Sequence, residues 1–447
     1  MLRFLRWSLL SVLFLAVVAF GGTEPISFSV VQVLVFCIAI LWSVSLKNAK
    51  AANGRIPLGL PGLLLCFLLL QITRLPSWLV GGFKGALHPG ASSGYGTLSI
   101  SFYETRAFFL LVLTYVIVFY LSIVLFDGCG KRKQLVYALL GLATVEAFYG
   151  LVQYFTGWRY IFTPPRPYAM ASGTFVNPNN YAGLLGMTVP FALGCFFYQF
   201  EEFRRELKER YEQTVGGLQQ SAFWLFLAIV LFAAIFFSRS RMGILATTLA
   251  VGLVFVLGIL KARERARLLL WGITFILTSV VFVVWLGVSP VLTRFETLGR
   301  EYSAQGTGRL DIWKDTLQLV QQNFWLGSGG GTFPIAYTGV QTSFLDRVVN
   351  HAHNDYLEVV SELGVPAALL FFGTVVFLAG RLVAHFDRVP GFDKAVVLGV
   401  VGSLSAYLAH SLADFNTYIP ANGMLLAMVL GMGYAVLHPR PGSERWK

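Results

Sequence analysis

Two of the chain's six histidines stand two residues apart in the stretch "NHAHNDYLEVVSELG", residues 350–364. His351 and His353 are followed at once by Asn354 and Asp355. Arginines punctuate two further stretches: Arg239 and Arg241 in "FFSRSRMG", and Arg309 at the head of "GRLDIWKDTLQLVQQNFWLGSGGGTF". Imidazole titrates near neutral pH and takes protons from weakly acidic hydroxyls when it is positioned and neutral. Guanidinium presents a rigid fork of donors that fits phosphate oxygens in pairs. A base and two or more forks are suited to chemistry in which a hydroxyl attacks and a phosphate leaves.

The histidine pair also invites a metal reading, because "HAHND" matches the His-x-His-x-Asp of metallohydrolases. Tyr356 stands where a further histidine would be needed, and no other histidine cluster completes a zinc set, so neither a metal nor another cofactor is expected. The tract "DYLEVVSELG" reads as a helix, with Asp355 and Glu358 at capping-box spacing and Gly364 as its terminator. His353 then sits just before a helix N-terminus, where the dipole and nearby arginines favour the neutral imidazole that a base requires. His351 lies further out on the loop, as an interfacial polar residue or a contact for substrate.

Arg309 opens a segment in which Leu310, Trp313, Leu317, Val320 and Phe324 recur at helical spacing. That stripe predicts an amphipathic helix over 309–325, lying against the membrane surface or the top of a bundle and stopped by "GSGGG". A cation at a helix start is disfavoured by the macrodipole. A bound phosphate would resolve the conflict, and so would an ion pair with Asp311. Arg239 and Arg241 occupy a tight turn, as interfacial anchors or as partners of an anion. The Gly-rich run lacks the lysine of a phosphate-binding loop and reads as a flexible turn. Asn177 and Asn179, flanking Pro178, are either helix caps or hydrogen-bonding contacts for substrate.

The elements that carry these residues are set by hydropathy. Hydrophobic residues make up 56% of the chain and charged residues 13%, too few charges to cover a soluble protein of 447 residues. Apolar runs predict an all-α, polytopic membrane protein with about twelve spans, near 4–22, 25–46, 57–76, 106–126, 134–156, 181–200, 221–238, 242–260, 268–289, 365–386, 395–413 and 421–438. The chain reads as a single integral membrane domain, 1–447. Most of the 34 Lys and Arg fall in the shorter connecting segments that include Arg3, Lys131 and Arg204, which places those segments and both termini in the cytoplasm. Residues 77–105, 157–180 and 290–364 then form the outer loops, the last of them the largest. The net charge of +12 is accounted for by topology and anionic lipid rather than nucleic acid. The four cysteines show neither metal-ligand spacing nor a disulfide pattern. Glu146, within a span, is a proton or substrate relay or a hydrogen-bonded carboxyl between helices.

The motifs "SRSRMG", "GRLDIWKD…NFWLGSGGGTF" and "HAHNDYLEVVSELG" together resemble the core of the bacterial O-antigen ligase and polymerase superfamily. "SGTFVNPNNYAGLLGM", residues 172–187, is similar to an upstream Gly-Thr-Phe-x-Asn-x-Asn segment of many members, so the resemblance covers roughly 170–375. It implies an inverting, metal-independent transferase at the periplasmic side of the inner membrane. The donor would be a glycan on undecaprenyl pyrophosphate, and the acceptor lipid A-core oligosaccharide or, in a polymerase, a growing glycan. It implies that Arg241 and Arg309 hold the pyrophosphate and that His353 activates the acceptor. Arg239 and His351, each two residues earlier, leave room for a slip of two in either assignment. Asn354, Asn177 and Asn179 remain as further substrate contacts. A lipid-linked glycan transporter or flippase is the alternative from another class. Transporters concentrate polar groups at the bilayer midplane, whereas here they lie in the loops.

Overall fold

In a computed structural model, residues 1–47, 59–81, 94–157, 170–209, 215–261, 308–342 and 348–439 are described, with 272, 273, 277 and 281. The fold is all-helical. In chain order the helices are α1 (Leu2–Val18), α2 (Pro25–Lys47), α3 (Gly59–Ile72), α4 (Ser77–Gly81), α5 (Phe102–Leu125), α6 (Cys129–Thr156) and α7 (Pro178–Glu209). They continue with α8 (Val215–Phe237), α9 (Arg241–Lys261), α10 (Arg309–Gln322), α11 (Phe333–Thr338), α12 (Asp355–His385), α13 (Asp393–His410) and α14 (Pro420–Leu437). The only strands among the described residues are the two-residue β1 (Leu75–Pro76) and β2 (Tyr95–Gly96), paired antiparallel. Eight helices among the described residues are long and apolar enough to cross a membrane: α2, α5 to α9, α12 and α14. The chain is therefore a multi-pass membrane protein. The span expected at 268–289 lies almost wholly outside the described residues.

Burial sorts the helices into a centre and a rim. The span of α7 is 94% buried and that of α2 17%, so α7 runs through the middle and α2 faces outward. Beside α7 lies α13, whose side chains are almost all buried. A helix surrounded by protein has no need of a lipid-compatible surface, and α13 carries Ser403, Ser405 and two glycines, Gly399 and Gly402. Glycines on both helices set the distance between α13 and α7. A Cβ on Gly402 would lie 2.5 Å from Pro190 of α7, and one on Gly194 would strike the Ala395 carbonyl. Small residues allow this close approach of backbones, which drives helix association in lipid.

Contacts fix which loops share an end. Ala171 N–H donates to the Phe237 carbonyl at 3.0 Å, Ser99 N–H to Gln71 O at 2.9 Å, and the Thr174 hydroxyl to Val17 O at 2.7 Å. Ile100 N–H donates to Ser328 O at 2.9 Å as well, so the described parts of the 77–105 and 290–364 loops meet at one end of the bundle. At the other end Arg132 donates to Asp393 through Nε at 2.8 Å and Nη2 at 2.5 Å, with the guanidinium only 4% exposed. This buried fork joins the starts of α6 and α13. Removing one partner strands the other charge, so Arg132→Ala is expected to destabilise the folded protein by about 3–5 kcal/mol. Thermal unfolding in detergent checks this, and an unchanged midpoint would show the pair to be dispensable.

Helix α12 is broken where the sequence suggests. Gly364 adopts φ 81° and ψ 162°, and Pro366 follows with no N–H to give. The break frees the carbonyls of Ser361 and Glu362, which accept Ser328 N–H at 2.8 Å and Gly329 N–H at 3.0 Å. Val365 N–H donates to Phe324 O at 2.8 Å. The Gly-rich run is therefore not the flexible turn its composition suggests. It is buried and docked: Gly330 N–H donates to Gln71 Oε1 at 3.1 Å, and the Thr105 hydroxyl to Gly330 O at 2.8 Å. Gly327, Gly329 and Gly331 have positive φ, which side-chain-bearing residues rarely adopt.

Candidate active site at one end of the bundle

Three carboxylates on one face of α12, Asp355, Glu358 and Glu362, are each at most 1% exposed. Their spacing of three and four places them along one stripe of the helix. Each accepts hydrogen bonds from chain outside α12. Glu362 accepts Gly331 N–H at 2.9 Å, Phe333 N–H at 2.8 Å and the Tyr418 hydroxyl at 2.7 Å. Asp355 accepts the Ser411 hydroxyl at 2.7 Å and Thr417 N–H at 3.3 Å. Glu358 accepts Ala352 N–H at 2.8 Å and bonds His351 Nδ1 at 2.7 Å. The expected capping box is replaced by a simpler cap. Asn354, not Asp355, is the N-cap: its Oδ1 accepts Leu357 N–H at 3.1 Å, and its Nδ2 donates to Leu412 O at 3.0 Å. Asn354 thus holds both the helix start and the segment after α13.

The two histidines flank one aromatic ring. His351 stacks on Phe415 at a centroid distance of 4.0 Å and an interplanar angle of 10°. His353 meets the same ring edge-on at 5.1 Å. His351 is therefore no outlying loop residue; it is fixed on two sides. Burial disfavours its charged form, but Glu358, with Glu362 and Asp355 behind it, outweighs burial and holds its pKa above the ordinary imidazole value. His353 has φ 51°, in the left-handed region. Non-glycine residues occupy that region seldom, and they do so often at functional sites.

Arg309 is the first residue of α10, as its position before the apolar stripe suggests. It makes no ion pair with Asp311 among the described residues; its Nη1 donates to Ala413 O at 2.7 Å. One turn on, Trp313 Nε1 donates to Ala352 O at 2.9 Å, the carbonyl just before His353. The face bearing Arg309 and Trp313 thus binds both segments that carry the site. The buried side of α10 is Ile312, Asp315, Thr316 and Leu319, whereas Leu310, Leu317 and Phe324 of the predicted stripe are exposed. Asp315 explains the inversion, because it accepts the Tyr337 hydroxyl at 3.0 Å and the Thr342 hydroxyl at 2.7 Å. Asp414, next to Ala413, is fully buried, with His410 Nε2 3.5 Å away. Burial would raise its pKa, but His410, the Phe415 N–H and Arg309 hold it below the usual carboxylate range.

Arg241 likewise begins a helix, α9, capped by Ser240, whose Oγ accepts Gly243 N–H at 3.2 Å. Two of the site arginines therefore stand at the positive ends of helix dipoles. Arg239 has φ 56° and turns its guanidinium toward the Tyr154 ring, 6.0 Å from the centroid. A Cβ on Gly243 would lie 2.6 Å from the Ala182 methyl of α7, and one on Gly183 would strike Asn416. Asn422 Nδ2 donates to Asn180 O at 2.9 Å and Asn416 Oδ1 at 2.8 Å. The α9 start, the α7 start and the 410–418 segment thus form a continuous chain of contacts leading to Phe415.

The structure gives Asn177 its capping role: its Oδ1 accepts Asn179 N–H at 2.9 Å at the start of α7. The side chain of Asn179 is partly exposed beside it. Glu146 is a hydrogen-bonded carboxyl, accepting Thr174 N–H at 2.9 Å and lying 3.0 Å from its hydroxyl. Sequence reading missed the segment 410–418, "HSLADFNTY", which touches Arg309, both histidines and two of the clamping carboxylates. Its one visible signal was a histidine and an aspartate four apart at the end of a span. Among the described residues, no group of His, Cys, Asp and Glu is arranged to hold a metal ion.

Two comparisons with known proteins bear on this end of the bundle. No curated protein matches the chain. Residues 226–372, about a third of the chain, match the family model described as O-antigen ligase. The match runs from α8 into α12 and takes in Arg239, Arg241, Arg309, His351 and His353. The chain thus carries an O-antigen ligase family domain over residues 226–372, and that family consists of glycosyltransferases.

Proposed function

We propose that the chain is a ligase: a transferase at the periplasmic face of the inner membrane that moves a glycan from undecaprenyl pyrophosphate to lipid A-core oligosaccharide. In this reading about twelve spans carry the site, and both termini are cytoplasmic. The observation that carries it is the convergence of Arg309 and His353 on one loop, with Arg309 and Arg241 both opening helices. A departing pyrophosphate gains charge in the transition state, and helix N-termini with guanidinium forks stabilise that charge. His353 takes the proton of the attacking sugar hydroxyl, a contribution of about 10²–10⁴-fold. Attack opposite the leaving group inverts the anomeric carbon. Arg239 and Asn179 lie at the margin as substrate contacts.

The test is transfer in detergent from a polyprenyl-pyrophosphate glycan, joined to glycan analysis of a deletion strain. Loss of polymer from lipid A-core, with lipid-linked polymer accumulating, is the expected result. Single repeat units capping the core would instead make the protein a polymerase. Transfer to neither acceptor would sink the reading.

A further inference from the structure

Within that glycosyl-transfer reading, on which it rests, His351 has geometry that the base and the arginines do not use. Its Nδ1 is committed to Glu358 at 2.7 Å, and Glu358 is itself pinned by Ala352 N–H. Its ring plane is fixed by the parallel stack on Phe415. The side chain is 29% exposed, so the ring is not sealed in. A buried carboxylate on one nitrogen with the other nitrogen left accessible is how proteins orient an imidazole for proton transfer. The direction of transfer follows from the neighbours. Facing the ring are Glu358, Glu362 and Asp355 from α12, Tyr418 at 5.6 Å from the segment after α13, and His353 across Phe415. Glu358, in direct contact with Nδ1, favours the imidazolium, which gives a proton and cannot take one.

We propose that His351 is the general acid of the transfer, oriented by Glu358, and that its Nε2–H is donated to the departing phosphate oxygen. The step balances. The bond from the anomeric carbon to the phosphate oxygen breaks, and its electron pair leaves with that oxygen, which takes the proton of His351. The acceptor oxygen bonds to the carbon and gives its proton to His353. Exchange with water then restores both imidazoles. Glu358 is a positioning residue and touches no substrate.

An acid works only while protonated, so the contribution of His351 is present at low pH and lost as pH rises through its pKa. That alkaline limb should lie above the ordinary imidazole value, because Glu358 favours the charge. His351→Gln keeps a donor for Glu358 and so should fold. It is expected to lower kcat by about 10²-fold, with a smaller change in donor KM, and to abolish the alkaline limb. Glu358→Gln should move that limb to lower pH while the acidic limb stays. The measurement is kcat and KM from pH 5 to 9 with a polyprenyl-pyrophosphate glycan donor. Variants with an unmoved alkaline limb, in a protein whose wild type transfers, overturn this proposal alone; so does displacement of the acidic limb, which would make His351 the base. A wild-type protein that transfers nothing overturns the glycosyl-transfer reading and this proposal with it.

Discussion

His353→Ala is expected to abolish transfer and to leave a folded, inserted protein that still retains the lipid-linked donor. The backbone around His353 is fixed from both sides. Ala352 donates its N–H to Glu358 and accepts the Trp313 indole N–H at its carbonyl, and Asn354 caps α12 while donating to Leu412 O. These bonds are made by the backbone and by the side chains of its neighbours, so they persist when the His353 side chain is removed. The positive φ of 51° costs on the order of 1–3 kcal/mol in a non-glycine residue. That strain supplies a control. Glycine accepts positive φ without penalty, so His353→Gly should fold at least as well as the alanine variant and be equally inactive. The loss expected for a missing base is about 10²–10⁴-fold, read as single-turnover transfer with donor retention measured in parallel. Near-normal turnover by either variant would remove His353 from the chemistry. In the proposed reading the arginines supply the positive charge, so chelators should leave the wild-type rate unchanged; a reversible loss with EDTA would show that an ion takes part.

Local pattern made part of this site legible in the sequence. The α12 start, its break at Gly364 and the helix opened by Arg309 follow from caps, stops and apolar spacing, all of which act within a few residues. The clamps do not. Asp355 reaches Ser411 and Thr417, Glu362 reaches Tyr418, and Gln71 holds Leu326 and Gly330 across more than 250 residues. Nothing in a single chain's periodicity announces such partners. Three acidic residues at spacings of three and four, just ahead of an apolar run, were nevertheless a visible sign of a buried polar stripe. The α10 stripe shows the converse limit. Spacing finds an apolar face, but Asp315 and its donors decide which face turns inward, leaving Leu310, Leu317 and Phe324 exposed.

Arg309→Lys tests whether shape or charge matters at the phosphate. The macrodipole of α10 disfavours a cation at the first helical residue, so charge alone is a poor reason to find an arginine there. The guanidinium answers two demands together. Nη1 is bound to Ala413 O at 2.7 Å, which orients the plane, and the remaining donors can fork onto phosphate oxygens. Lysine keeps the charge but has a compact ammonium with no second, coplanar pair of donors. Bonding to Ala413 would then draw it away from the ligand. Arg309→Lys is therefore expected to lose most transfer, on the order of 10²-fold or more, as an oxyanion-stabilising donor does when removed. Arg241→Ala should lose as much, and Arg239→Ala less, because its guanidinium lies toward Tyr154. The loss should appear in kcat as well as in donor KM, since the charge being met develops as the pyrophosphate departs. Removing Arg309 also withdraws a cation from buried Asp414, so each variant needs its thermal midpoint measured beside its rate. If Arg309→Lys transfers at the wild-type rate with an unchanged midpoint, the residue acts as a diffuse charge and not as a phosphate fork.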